Sequence, residues 1–267
     1  LMSKGGMELV WNFTLECPRK LKMQIFTVLK EVIHTYKGWT RKEKLLALQR
    51  LYQFCVEEQV SDIETMTMEE EQRFEQELSE HFCRKKKSMG VAVIRMSRKI
   101  LFLQAPEINW NANVWFLERF HFSKERMNPS KPIELVSFKE VTNLENQKIL
   151  QKYMRYLFGI TDLCISTIRI KMLELRTFLV HFNGEKSPIY EVEAEKIQRY
   201  LESIQKQDTR EKTANGRIFM ILQFYNFLTV KGYLKKIPFR HEYYLQKEVH
   251  IHHDRSVPER IYTEILS

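Results

Sequence analysis

The sequence predicts a mainly α-helical protein with two small helical bundles, and three observations support this prediction. Hydrophobic residues make up 43% of the 267 residues, which is enough to fill two cores. Only 8 glycines and 7 prolines interrupt the chain, which excludes collagen-like and linker-like proteins. Apolar residues recur at steps of three and four along several segments, as they do on the buried face of an amphipathic helix.

An internal repeat of helical segments divides the chain into two copies. Residues 44–54 and 168–178 share their apolar spacing at an offset of 124. Each copy is predicted as helix, loop, helix, basic loop and helix, with the apolar stripes forming the core. Two further sets match at an offset of 126, namely Ile63, Met66, Phe74 and Leu78 with Ile189, Val192, Tyr200 and Ile204, and Ile94, Leu101 and Phe102 with Met220, Phe227 and Leu228.

A further helix and a connector complete the predicted architecture. A helix is expected from about Pro18 to Tyr36, because proline favours a first turn and Gly38 follows the end of the pattern. Residues 109–146 break the helical spacing with aromatic residues, which predicts an ordered connector with at most one short strand, at 133–138. The predicted division is a helical domain at 1–105, a connector at 106–157, a second helical domain at 158–247 and a linker at 248–267.

The charge is basic overall and strongly segregated. The chain carries 43 Lys and Arg against 34 Asp and Glu, a net charge of +9, which favours a polyanionic partner. Residues 57–80 hold ten acids and one base, which predicts a solvated face that cannot lie on a phosphate backbone. Residues 84–99 hold seven bases and no acid, so we expect a molecule with two oppositely charged faces.

Several other classes of protein are disfavoured. The four cysteines form no CxxC pair, so neither a disulfide framework nor a zinc site is indicated. His250, His252, His253 and Asp254 carry metal-ligand atoms, but adjacent histidines point in different directions, which favours an exposed linker. No metal, cofactor or small-molecule substrate is therefore predicted. No apolar run reaches 18 residues and no secretory signal is found, which predicts a soluble, cytoplasmic protein without a membrane partner.

The second copy carries distinctive motifs at 166–178, 197–201, 212–217, 222–228 and 232–234. Together they resemble the SAM-like core-binding domain of tyrosine recombinases, the phage integrase family. Phe138, Lys152 and Tyr153, and the segment 253–261, resemble the large transposon-encoded members of that family. The first copy matches by periodicity and spacing, so it is either core-binding-like or a domain that binds arm or accessory DNA sites.

The resemblance implies a DNA-binding region without the catalytic domain. In this family a separate C-terminal domain exchanges DNA strands with a tyrosine nucleophile, two arginines, a lysine and a histidine. The matches at 215–217, 81–84 and 252–255 lack the surrounding catalytic motifs, and Tyr262 follows Arg255 by only seven residues. We therefore expect no enzymatic activity from this chain, whereas the full-length parent would be a strand-exchange enzyme.

The predicted function is sequence-specific binding of double-stranded DNA, together with further recombinase subunits, in DNA integration, recombination or transposition. Phosphates would be held by basic residues and helix starts, and Asn215 and Arg217 would read base edges. The alternative is a helical protein–protein adaptor whose connector docks a partner; RNA binding is disfavoured because no RNA-module signature is present. The predicted DNA-binding residues are Arg41, Lys42, Lys44, Arg84, Lys85, Lys86, Lys87, Arg95, Arg98 and Lys99 in the first copy, and Thr167, Arg169, Lys171, Lys212, Thr213, Asn215 and Arg217 in the second.

Overall fold

The computed structural model describes residues 9–81 and 87–247, and for 80, 81 and 87–89 it describes the backbone alone. The predicted mainly α fold is confirmed, since these ranges contain eight α-helices and one two-stranded sheet. None of these helices is both long and apolar enough to cross a membrane. The chain divides into two compact units, Leu1–Glu191 and Val192–Ser267. The predicted domain at 158–247 crosses this boundary, and the predicted division of the chain stays a prediction.

Four helices at the start of the first unit pack around one core. They are α1 (Arg19–Thr35), α2 (Gly38–Glu57), α3 (Met68–His81) and α4 (Lys87–Gln104). The helix expected from Pro18 to Tyr36 is confirmed as α1. Its apolar residues fall at steps of three and four, so they form one buried stripe. The stripe consists of Leu21, Ile25, Val28 and Val32, each fully buried.

Three acids of the segment predicted as a solvated face are buried in this unit. Asp62 accepts hydrogen bonds from Lys20 Nζ at 2.5 Å and from Gln24 Nε2 at 2.6 Å. Glu71 forms ion pairs with two cations from other elements. Glu64 is 6% exposed, and its burial raises the pKa of the carboxyl above its usual value. The prediction was wrong for these residues because long-range partners compensate the loss of hydration.

The connector folds as a small sheet with an aromatic core. Strand β1 (Val114–Phe116) pairs antiparallel with β2 (Leu135–Ser137), which lies inside the predicted extended segment. The sequence did not predict β1, because its three residues are all apolar and buried and so show no alternation of apolar and polar residues. Trp115 is fully buried, and its ring centroid lies 4.7 Å from that of Phe138. Aromatic burial therefore orders the connector.

Two helices close the first unit. They are α5 (Leu144–Ile160) and α6 (Ile165–His181), which pack on each other. Arg126 of the connector donates from Nε to the Leu163 carbonyl at 3.1 Å and from Nη1 to the Phe158 carbonyl at 3.0 Å. The guanidinium thus joins a carbonyl in the last turn of α5 to one in the loop before α6.

The second unit contains α7 (Ala194–Gln205), α8 (Glu211–Val230) and a short 3-10 helix at His241–Tyr244. Ile197 and Leu201 of α7 and Ile218 of α8 are fully buried. Helices α7 and α8 pack on each other, and the short 3-10 helix packs on both.

Helix spacings follow the predicted repeat. Helices α1 and α5 are both 17 residues long and begin 125 residues apart. Helices α3 and α7 begin at Met68 and Ala194, 126 residues apart, and α4 and α8 end at Gln104 and Val230, again 126 apart. Each copy therefore has its three predicted helices in the same order and at nearly the same spacing, and one further helix, α1 or α5, precedes them.

Candidate nucleic-acid interface

Three predicted DNA-binding residues, Arg41, Lys42 and Lys44, lie at the start of α2. Together with Lys37 and the rings of Tyr36 and Trp39 they form what we call the α2 basic cluster. Arg41 Nε donates to the Tyr36 carbonyl at 2.5 Å. Lys42 Nζ lies 5.7 Å from the centroid of the Trp39 ring, and Lys44 Nζ lies 4.5 Å from that of Tyr36. Local contacts thus hold the three cations beside two rings.

The backbone at the turn between α1 and α2 also favours the binding of an anion. Gly38 has φ of +55°, a left-handed conformation that glycine adopts without strain, and it allows the chain to turn from α1 into α2. The first turn of α2 contains no acidic residue, and Lys37 at the N-cap makes no side-chain capping bond. The positive end of the helix dipole therefore faces solvent beside four cations.

Helix α4 presents two predicted residues in surface ion pairs. Arg95 Nη2 lies 2.6 Å from Glu134 and Lys99 Nζ lies 3.1 Å from Glu118, both acids belonging to the connector. All four side chains are at least half-exposed. Exposed pairs of this kind contribute about 0–1 kcal/mol, so a phosphate can replace either carboxylate at little cost.

The prediction for Arg98 requires correction. Its side chain is 4% exposed, and Nε donates to the Ile63 carbonyl at 2.9 Å while Nη2 donates to the Met66 carbonyl at 2.8 Å. The remaining Nη1 forms an ion pair with Glu71. Because the guanidinium is buried and committed to these partners, Arg98 supports the fold and does not face DNA.

Lys171 and Asn215 also lie away from the surface. Lys171 of α6 is 9% exposed, and burial lowers the pKa of its ammonium group. Asn215 of α8 is 6% exposed; its Nδ2 donates to the Gln246 carbonyl and its Oδ1 accepts from the Gln246 N–H, both at 2.9 Å. The amide that was expected to read a base edge instead fixes the chain that follows α8.

We expect Asn215→Ala to destabilise the second unit by about 1–3 kcal/mol, because it leaves the Gln246 backbone groups without partners. Hydrogen exchange of the α8 amides in the full chain measures this loss. Asn226→Ala, an exposed change in the same helix, is the matched control and is expected to stay within about 0.5 kcal/mol. Equal protection of the α8 amides from exchange in both variants would show that the hydrogen bonds between Asn215 and Gln246 do not stabilise the second unit.

The start of α6 keeps two predicted residues at the surface of the first unit. Thr167 is the third residue of the helix, and Arg169 is exposed one half-turn later. The first turn contains no acid. The free backbone N–H groups of this helix start and the Thr167 hydroxyl can therefore bind an anion, whereas Arg169, two residues later, lies on the opposite side of the helix.

The start of α8 presents the predicted residues of the second unit. Lys212 and Thr213 are exposed, and Lys206 and Arg210 are exposed just before them. Arg217 is half-buried and donates from Nη1 to Gln207 Oε1 at 2.6 Å. Glu211 in the first turn reduces the local positive charge. Residues 192–247 nevertheless carry eleven Lys and Arg against six Asp and Glu, so this unit is basic.

Two groups of candidates fall outside the described part of the chain. They are Arg84, Lys85 and Lys86 with the side chain of Lys87, and the segment with His250, His252, His253 and Asp254. Among the residues described, no three of His, Cys, Asp and Glu come together as a metal site.

No protein-family model matches the chain, and comparisons with curated proteins and with solved structures found no significant match. The candidate interface therefore depends on the geometry of its own residues. That geometry provides accessible cations and hydrogen-bond donors at three helix starts.

Sequence reasoning missed Tyr36, Lys37 and Trp39. A signal was present, since aromatic and basic residues alternate directly around Gly38 at the end of a predicted helix. The exposure of Trp39 could not be read from the sequence, because an apolar residue at a helix start is normally assigned to the core.

Proposed function

We propose that this chain binds double-stranded DNA sequence-specifically, as the N-terminal part of a site-specific tyrosine recombinase acting in DNA integration, recombination or transposition. The α2 basic cluster is the observation that carries the proposal. It places four cations within eight residues, next to an uncapped helix start without acids. Phosphates need this combination of charge and directed N–H donors.

Each unit contributes its own helix starts to this binding. In the first unit they belong to α2 and α6, and in the second unit to α8. Arg95 and Lys99 would exchange surface carboxylates for phosphates. With Asn215 committed to the fold, Arg217 is the better candidate for a base contact, because guanidinium groups pair with guanine edges.

The recombinase part of the proposal is supported by the motifs of the second copy and by the repeated order of helices. A core-binding region holds DNA for a catalytic domain, so this chain itself would not cut DNA. Recombinases of this family act on paired sites, which implies further subunits as partners.

Selection from a pool of random duplexes, with sequencing of the bound fraction at two salt concentrations, tests the proposed function. We expect an enriched motif, and with about eight phosphates neutralised, a slope of log affinity against log salt of roughly −7. Steep salt dependence without a motif would remove sequence specificity from the proposal. No binding at either salt concentration would overturn it.

A protein–protein adaptor is the second candidate, and one cavity favours it. The cavity lies in the first unit, measures about 860 Å³ and has a mainly apolar lining that includes Leu117, Phe122, Met127 and Ile133. A groove of this size fits an apolar segment of a partner. A defined protein complex that excess duplex does not disturb would favour this function over DNA binding.

A further inference from the structure

Trp39 is an exposed tryptophan of the first unit. It is 72% exposed, whereas Trp115 is fully buried and Trp11 and Trp110 are partly buried. Exposing a tryptophan leaves a large apolar ring in water, and such rings are concentrated where proteins meet ligands. A flat partner that is attracted to the residues around the ring would cover it.

The surroundings of Trp39 specify the charge of that partner. Lys37, Arg41, Lys42 and Lys44 surround the ring in the sequence, and Glu43 is the single acid between Tyr36 and Lys44. Lys42 Nζ, 5.7 Å from the ring centroid, occupies the neighbourhood of the ring without burying it. An aromatic surface inside a basic cluster is complementary to nucleobases attached to phosphates.

We propose that Trp39 stacks on an unstacked nucleobase of bound DNA while the cations of the α2 basic cluster hold the adjacent phosphates. This inference rests on the proposed function and adds to it a preference for DNA in which one base step is open. Intact duplex buries its base faces, so stacking there requires that a base step first be opened, at a cost in free energy. A gap or a bulge removes that cost.

A membrane surface is the other anionic partner of a tryptophan among cations. Interfacial binding requires a continuous apolar face several residues long. The residues three and four positions after Trp39, which share its face of α2, are Lys42 and Glu43, and they offer no such face. The observations therefore favour a single aromatic contact with a nucleobase.

The test compares three DNAs of one sequence: an intact duplex, a duplex with a one-nucleotide gap and a duplex with a single-base bulge. Fluorescence anisotropy measures the affinity of the full chain over a salt series. We expect Trp39→Ala to weaken binding to gapped and bulged DNA roughly 5- to 100-fold, and to intact duplex much less. The salt slope should not change, because no charge is removed. Trp39→Phe should retain most of the affinity.

Two matched variants separate the contributions. Lys42→Gln should weaken binding to all three DNAs alike and reduce the salt slope by about one. Phe26→Ala removes another exposed aromatic ring of the same unit, 53% exposed on α1, and should change neither affinity nor slope. Circular dichroism confirms that each variant keeps its helices.

If Trp39→Ala lowered the affinity for intact and gapped DNA equally, the stacking proposal would be overturned, while DNA binding would stand. If Trp39→Ala lost binding to vesicles of anionic lipid and kept its affinity for all three DNAs, Trp39 would be assigned to a membrane contact. That result would also overturn the stacking proposal. If the unmodified chain bound none of the DNAs, the proposed function would fail, and the stacking proposal with it.

Discussion

Replacing Arg98 by alanine is expected to lower the free energy of unfolding of the first unit by about 3–5 kcal/mol. The substitution leaves the carbonyls of Ile63 and Met66 without their donor and removes one of the two cations that neutralise Glu71. A buried carboxylate that has lost one of its cations costs far more free energy than a carboxylate exposed to water. Urea unfolding followed by tryptophan fluorescence measures the loss, because all four tryptophans lie in this unit.

Arg95→Ala is the matched control for this prediction. It removes an arginine from the same helix, but its ion pair with Glu134 is exposed at both ends. We expect a loss of at most about 1 kcal/mol. Similar midpoints and slopes for the two variants would show that Arg98 is not a structural arginine, and would return it to the candidate DNA-binding residues.

Neutralising three cations of the α2 basic cluster is expected to have the largest effect on DNA binding. The triple variant Arg41→Gln, Lys42→Gln and Lys44→Gln removes three phosphate contacts, so the salt slope should become shallower by about three. At about 0.1 M salt the affinity for duplex should fall by roughly two to three orders of magnitude. Titration of a labelled duplex at several salt concentrations gives both quantities.

A second triple variant controls for net charge. Lys22→Gln, Arg50→Gln and Arg73→Gln remove three cations of the same unit that lie outside the cluster. The slope should change by less than one, because these residues are not expected to contact phosphates. If both triples weakened binding equally, attraction would depend on the overall charge of the unit and the cluster would not be the interface.

The sequence predicted most of the helices because helix formation leaves a local signal, but it did not predict α5, most of which lies in the connector expected at 106–157. The stripe of α1 and the matched spacings of the two copies depend on side chains three or four residues apart, which can be counted without knowing the fold. Strand β1 leaves no such signal, because its three residues are all apolar and buried, so they do not alternate with polar residues as in a half-buried strand.

The candidate site was predicted less completely, for a reason that Arg98 illustrates. Basic residues on α4 were all assigned to the surface, yet Arg98 follows Ile94 by four residues and precedes Phe102 by four. It therefore lies on the apolar stripe of its helix. Lys171, three residues after Ile168, shows the same pattern. Periodicity could have indicated their burial, but not the partners of Arg98, which come from distant segments.

Asn109 and Asn113 of the connector form hydrogen bonds to the turn before α3. These bonds determine where the protein can be divided experimentally. Asn113 donates from Nδ2 to the carbonyls of Thr65 and Met66 at 2.9 and 2.8 Å, and Asn109 donates to Glu64 at 3.0 Å. A fragment cut after residue 105 would lose these donors and expose the carbonyls that they cover. Protease digestion or fragment expression aimed at the α1–α4 bundle should therefore keep the chain at least through Lys139, whose ammonium group lies 2.6 Å from Glu71.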